Sequence, residues 1–97
     1  MKIVILDEAQ QDLIDGFHFY ERQEPGVGDY FLDSVIADID SLLLYAGVHA
    51  VHFGKHRMLC KRFPVSVYYS VKGESIHVFA VLDQRRDPAW IRKRLTE

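Results

Sequence analysis

Hydrophobic and polar positions change period along this chain, and each change marks an element. Ile3, Val4, Ile5 and Leu6 form an unbroken apolar run, the pattern of a strand covered on both faces. Asp7 predicts a helix N-cap, and Gln10 three residues on completes a capping-box spacing. In the helix that follows, Ala9, Leu13, Ile14, Phe17 and Tyr20 fall in a sector of about 140°. Pro25, Gly26 and Gly28 end it. A second helix is predicted from Asp29 to Ala46. Its stripe is Phe31, Leu32, Val35, Ile36, Ile39, Leu42, Leu43 and Ala46, with Gly47 as C-cap. So short a linker makes the two helices an antiparallel hairpin.

After an irregular connector (48–56) the period drops from 3.6 to 2. Arg57 to Phe63 reads as a strand, and Pro64 bends the chain. Val65, Val67, Tyr69 and Val71 then alternate with Ser66, Tyr68 and Ser70 in a half-buried strand. Lys72 to Ser75 is a hairpin turn, and Ser75 to Leu82 is a strand apolar enough to be expected at the sheet's centre. Asp87 and Pro88 supply an N-cap and a first-turn proline for a short terminal helix. The expected fold is a single α+β domain over residues 1–97. It combines a three-stranded antiparallel meander, an added N-terminal strand, a helical hairpin on one face and a C-terminal helix. In such a meander Lys61 and Arg62 lie at the same end as Arg85 and Arg86, and Arg57 starts at the other.

Composition adds two limits. The 97 residues are 48% hydrophobic, enough for one core and no second domain. No apolar run approaches the roughly 18 residues of a membrane span, and the N-terminal one is too short for a signal peptide. One cysteine, Cys60, excludes an internal disulfide. A cytoplasmic protein without membrane contact is expected.

Charge changes the picture more. Residues 1–47 hold ten acids and two bases, a net of −8, while residues 48–97 hold ten bases and four acids, a net of +6. Either the basic half meets an anionic partner or the halves pair with each other. Arg57, Lys61, Arg62, Arg85 and Arg86 could bind phosphate, since guanidinium forks match its oxygens. Together they could also stabilise a pentavalent phosphoryl transition state. RNA cleavage further needs a base and an acid, for which Tyr68, Tyr69, His77 and Asp83 are the available groups. The opposing reading of Arg85 and Arg86 is a structural pair that bonds helix carboxylates.

His49, His52 and His56 sit on the connector without a nearby acid or cysteine, so no metal and no cofactor is expected. Trp90 and Ile91 would dock the last helix, leaving Arg92, Lys93 and Arg94 solvated. Phe19 projects away from the first stripe, and Leu44 and Tyr45 leave the second. These are candidates for a partner surface.

The segments "DEAQQDLIDGFHFY" and "RFPVSVYYSVKGESIHVFAVLDQRRDPAWIRKRL" resemble the RelE/ParE superfamily of bacterial toxins. Arg-Phe-Pro through Arg-Arg-Asp-Pro is the specific part, and the resemblance covers essentially the whole chain. It implies the toxin of a type II toxin–antitoxin module, made beside a cognate antitoxin that wraps over it. One branch cuts mRNA in the ribosomal A site, and the other poisons DNA gyrase without a nuclease centre. The family motif maps onto Arg57, Lys61, Arg62, Arg85 and Arg86, which with Trp90 form the implied target-binding set. In the ribonuclease branch Lys61, Arg62 and Arg85 would act on the scissile phosphate. Phe19, Leu44 and Tyr45 would meet the antitoxin.

Three departures favour the gyrase branch. Asp83 stands where members with this ending commonly carry histidine. Trp90 and Ile91 stand where ribonuclease members often have a tyrosine or another acid–base group. A net charge of −2 is low for a ribosome-binding nuclease. A member that only binds antitoxin is the third alternative.

Overall fold

In the computed structural model, which describes residues 1–97, the first apolar run is strand β1 (Lys2–Ile5). Helix α1 (Asp7–Gln23) follows with Leu6 as its N-cap. Asp7 is therefore inside the first turn, where its carboxylate meets the positive end of the helix dipole. The expected capping box does not form. Gln10 instead donates its amide to the Ile5 carbonyl at 2.8 Å.

Gly26 adopts a left-handed conformation (φ 93°) as N-cap of α2 (Val27–Asp40). The Glu21 carboxylate of the preceding helix accepts from the N–H groups of Gly26 and Gly28, each at 3.0 Å. One side chain thus closes the turn and satisfies the next helix's free donors. Gly28 has no substitute here, because a Cβ would lie 2.7 Å from the Phe17 carbonyl oxygen.

The second helix starts at Val27 and stops at Asp40 instead of running to Ala46. The Ser41 hydroxyl donates to the Asp38 carbonyl and its N–H is shared between Ala37 and Asp38, which tightens the chain. A single turn, α3 (Leu42–Tyr45), continues in a new direction. That break carries Leu43 out of the stripe, 51% exposed, and Ile14 of α1 is 49% exposed, so both leave the expected core.

The connector holds a strand that periodicity missed. Strands β2 (Val51–His52) and β3 (Lys55–Leu59) form a hairpin through Phe53 and Gly54, both at positive φ. Strand β3 stops at Leu59, four residues before the expected end. Cys60 N–H donates to the Val65 carbonyl and Val65 N–H to the Phe63 carbonyl, so residues 61–64 form a bend.

Strands β4 (Val65–Lys72) and β5 (Ser75–Asp83) complete a five-stranded sheet of order β1-β5-β4-β3-β2, in which β1 is parallel to β5 and the rest are antiparallel. The predicted meander and added N-terminal strand are both present. β5 is interior only beside β1, over Ser75–Val78; its second half is an edge.

A bulge at Phe79 separates the pairs Tyr68–Ala80 and Tyr69–Val78. Val67, Tyr69, Ile76, Val78 and Val81 meet Ala9, Leu13, Phe31, Val35 and Ile39 in the main core. On the opposite face Tyr68, Ala80 and Leu82 pack against Ile91 of α4 (Pro88–Thr96). Asp87 caps α4 by accepting from Ala89 N–H at 3.0 Å, with Pro88 in its first turn, as the sequence predicts.

Candidate functional site

The free half of β5, the outer side of α1 and the start of α4 enclose a groove of about 690 Å³. Asp12 closes its floor. Its Oδ2 accepts from Val81 N–H at 2.9 Å, occupying a donor on the exposed strand edge. Arg94 forks onto the same carboxylate at 2.8 and 3.1 Å and reaches Glu8 at 3.0 Å, latching the last helix to the first. Burial pushes the Asp12 carboxyl above its ordinary range, against the pull of Arg94. Burial also disfavours the Arg94 charge, but Asp12 and Glu8 together carry its guanidinium higher.

Arg85, Arg86, Trp90 and Phe19 line the open side of this groove with Arg22 and Tyr20. Arg85 donates Nε and Nη2 to the two Asp83 oxygens at 2.9 and 2.7 Å, while its own N–H donates to Oδ1. These bonds hold the Asp83 carboxyl below the usual range. The Arg86 guanidinium lies 3.9 Å from the Trp90 ring centroid. Tyr20 stacks on Phe31 and meets Phe63 edge-on at 4.8 Å, a cluster that fixes the groove's far wall.

The candidates do not all converge. Lys61 and Arg62 are exposed on the β3–β4 bend, which is joined to the end of β5 by Gln84 N–H donating to Pro64 at 2.8 Å. Neither lines the groove. Arg57 stands on the face opposite the helical hairpin, paired across the strands with Tyr68, half-buried and without an ion pair. Phe19 belongs to the groove, whereas Leu44 (81% exposed) and Tyr45 (56%) lie on α3. Their neighbours Leu43, Val48 and Val51 are also exposed.

Acid–base chemistry is dispersed as well. Tyr68 is buried, Tyr69 is in the main core with its hydroxyl bonded to Gly47 and His49, and His77 lies near the far end of β5 beside Val4. Burial, then the Asp83 charge, raises the Tyr20 phenol, so it is no base near neutrality. Burial, then His56, lowers the His49 imidazole. Two of the three histidines are tied locally: His49 meets the Tyr69 hydroxyl, and His56 Nδ1 meets the His49 carbonyl at 2.7 Å.

Sequence reasoning missed Asp12 and Arg22 and placed Arg94 in solvent, whereas it is drawn onto Asp12 and Glu8. Trp90, expected to dock the last helix with Ile91, is 38% exposed on the groove rim, and Leu95 packs beside Ile91 instead. Asp12 flanks the helix stripe about 60° from Ala9, and Arg94 sits between Ile91 and Leu95. Those placements were readable, but which helix answers which was not.

The architecture has a counterpart among solved structures. The chain shares its fold with a chain of a chromosomal ParDE TA system from P. aeruginosa. The TM-score is 0.76 at 20% identity, over 84% of this chain and 92% of that one. The shared fold is the ParE-like α+β arrangement that the sequence leads one to expect. No family model and no curated protein sequence matches the chain.

Proposed function

We propose that this chain is the toxin of a type II toxin–antitoxin module, held inactive by a cognate antitoxin, and that it arrests growth by poisoning DNA gyrase. The fold shared with a ParDE chain supports the toxin–antitoxin part. The gyrase part rests on the Asp83–Arg85 fork. With Arg85 tied to Asp83 and Arg86 on Trp90, both arginines after β5 are already engaged, and the carboxylate beside them is taken up by the same fork. Such a surface fits a protein-binding poison better than a phosphodiester-cleaving centre.

A ribosome-dependent ribonuclease is the second reading, and Arg57 favours it. Its half-buried guanidinium has no ion-pair partner and is available to a phosphate. Induced expression separates the readings. Growth arrest with broken DNA and intact mRNA supports gyrase, and codon-positioned mRNA cuts overturn it. No arrest at good soluble yield leaves antitoxin binding alone. Arg85→Ala with Arg86→Ala should abolish arrest at unchanged folded yield. Persistent arrest with a falling yield would make the pair structural.

A further inference from the structure

We infer that the outward face of α4, with Arg86 at its root, is a binding strip for the phosphate backbone of duplex DNA. The inference deepens the gyrase reading, since a gyrase poison works where the enzyme holds DNA. It starts from how few charges in this molecule are neutralised. Of the ten bases in residues 48–97, only Arg85 and Arg94 enter ion pairs, and only Arg94 reaches the acidic half. The charge asymmetry of the sequence therefore survives folding as a polarity of the surface. Asp7, Glu8, Asp15, Asp29, Asp33 and Asp40 are exposed on α1 and α2.

The basic pole is built by α4. Ile91 and Leu95 turn toward the sheet, which leaves Ala89, Arg92, Lys93 and Thr96 outward and exposed. Asp87, the acid nearest the strip's root, is occupied in capping Ala89 N–H. Arg86 is ordered by its stack on Trp90, and Lys61 and Arg62 are exposed on the bend that Gln84 N–H bonds to the end of β5. Arg86, Arg92, Lys93, Lys61 and Arg62 all lack an ion-pair partner.

From Ala89 to Thr96 the helical part of the strip is about 10 Å long at a rise of ~1.5 Å per residue. DNA presents a negative charge every ~1.7 Å of its axis, so such a strip needs no special register. Ala89, Arg92, Lys93 and Thr96 present no large apolar side chain, and the exposed aromatic beside them, Trp90, is covered on one side by Arg86, whereas protein interfaces are anchored by buried aromatic or aliphatic residues. A polyanion fits it better than an acidic protein does. The exposed acids of α1 adjoin the strip through the Arg94–Glu8 pair and would limit how far a duplex can spread beyond it.

Fluorescence anisotropy of the intact chain with a labelled duplex of about 24 base pairs, without gyrase, tests this. With about four phosphates neutralised, affinity should fall about 100-fold between 50 and 200 mM salt. Arg92→Gln with Lys93→Gln should lower the logarithmic salt slope by about 2. Lys72→Gln, at the far end of the sheet, should leave it unchanged. No binding at 50 mM salt, a flat salt response, or equal losses in both variants would overturn the inference. Tighter binding to single-stranded RNA of equal length would overturn it in favour of RNA. Gyrase cleavage complexes are scored separately. If they form while DNA binding is absent, the strip falls and the gyrase reading stands. DNA binding without cleavage complexes sinks the gyrase reading and keeps the strip.

Discussion

Arg94 and Arg85 each grip an aspartate with two nitrogens, yet the two forks do different things. Arg94 and Asp12 are 82 residues apart, with side chains only 17% and 13% exposed. Arg85 and Asp83 are two residues apart, 70% and 33% exposed. The first ties the last helix to the first and shields a strand edge, so its loss exposes or orphans groups on three elements. The second is local enough to form in an unfolded chain and lies in water, where such pairs add little. Similar bonds hold the fold together in one place and set the surface charge in the other.

Asp12→Ala is the sharpest way to break that contrast. It leaves Arg94 with Glu8 alone and Val81 N–H without an acceptor, which should cost about 3 kcal/mol by chemical denaturation. The pH dependence should run against the usual acid pattern. Because burial raises the folded Asp12 carboxyl above 3.8, the folded protein keeps a proton that the unfolded chain releases. Its contribution is complete below 3.8 and is lost as pH rises through the folded value. The gap between native protein and variant should therefore narrow with rising pH. A widening gap would mean that Arg94 outweighs burial.

The difference between the forks also explains what was legible in the sequence. Local chemistry could be read: Asp87 capping a helix opened by Pro88, the period-2 run from Val65, the helical stripes, and Arg85 and Arg86 as a pair next to Asp83. Long-range chemistry could not. Nothing near Asp12 announces Arg94 or Val81, so the groove's inner wall was invisible although its rim residues Arg85, Arg86 and Trp90 were named. The fold's errors have local causes too. Leu42 and Leu43 continue the helical period through Ser41, hiding the break. A two-residue strand turned by Phe53, a non-glycine at φ 55°, is too short and too atypical for alternation to reveal.

Cys60 extends the comparison to a half-buried group whose charged neighbour is an acid. Burial, then the charge and hydrogen bond of Asp38, push its thiol up to about 12 from an ordinary 9.0. Alkylation by iodoacetamide should be slow at neutral pH and still rise at pH 11. Linkage adds a stability effect. Between 9.0 and about 12 the unfolded thiol ionises while the folded one does not, so stability declines across that window. Cys60→Ala should remove that decline, worth about 1.4 kcal/mol per pH unit at most. An alkylation plateau near pH 9 would show a thiol that feels neither burial nor Asp38.

The smallest effect on stability belongs to the outer fork, and it carries the most functional information. Asp83 sits below its usual range, so its contribution is present above 3.8 and is lost as pH falls through the folded value. With Arg85 exposed, that loss should be within error of a denaturation midpoint, and Asp83→Asn should melt with the native protein. Its effect should appear in recognition. Releasing Arg85 restores a free guanidinium beside Arg86, which should steepen the salt dependence of DNA binding by about 1. If stability drops instead and the salt slope stays constant, Asp83 holds the β5–α4 junction, and the two forks are alike after all.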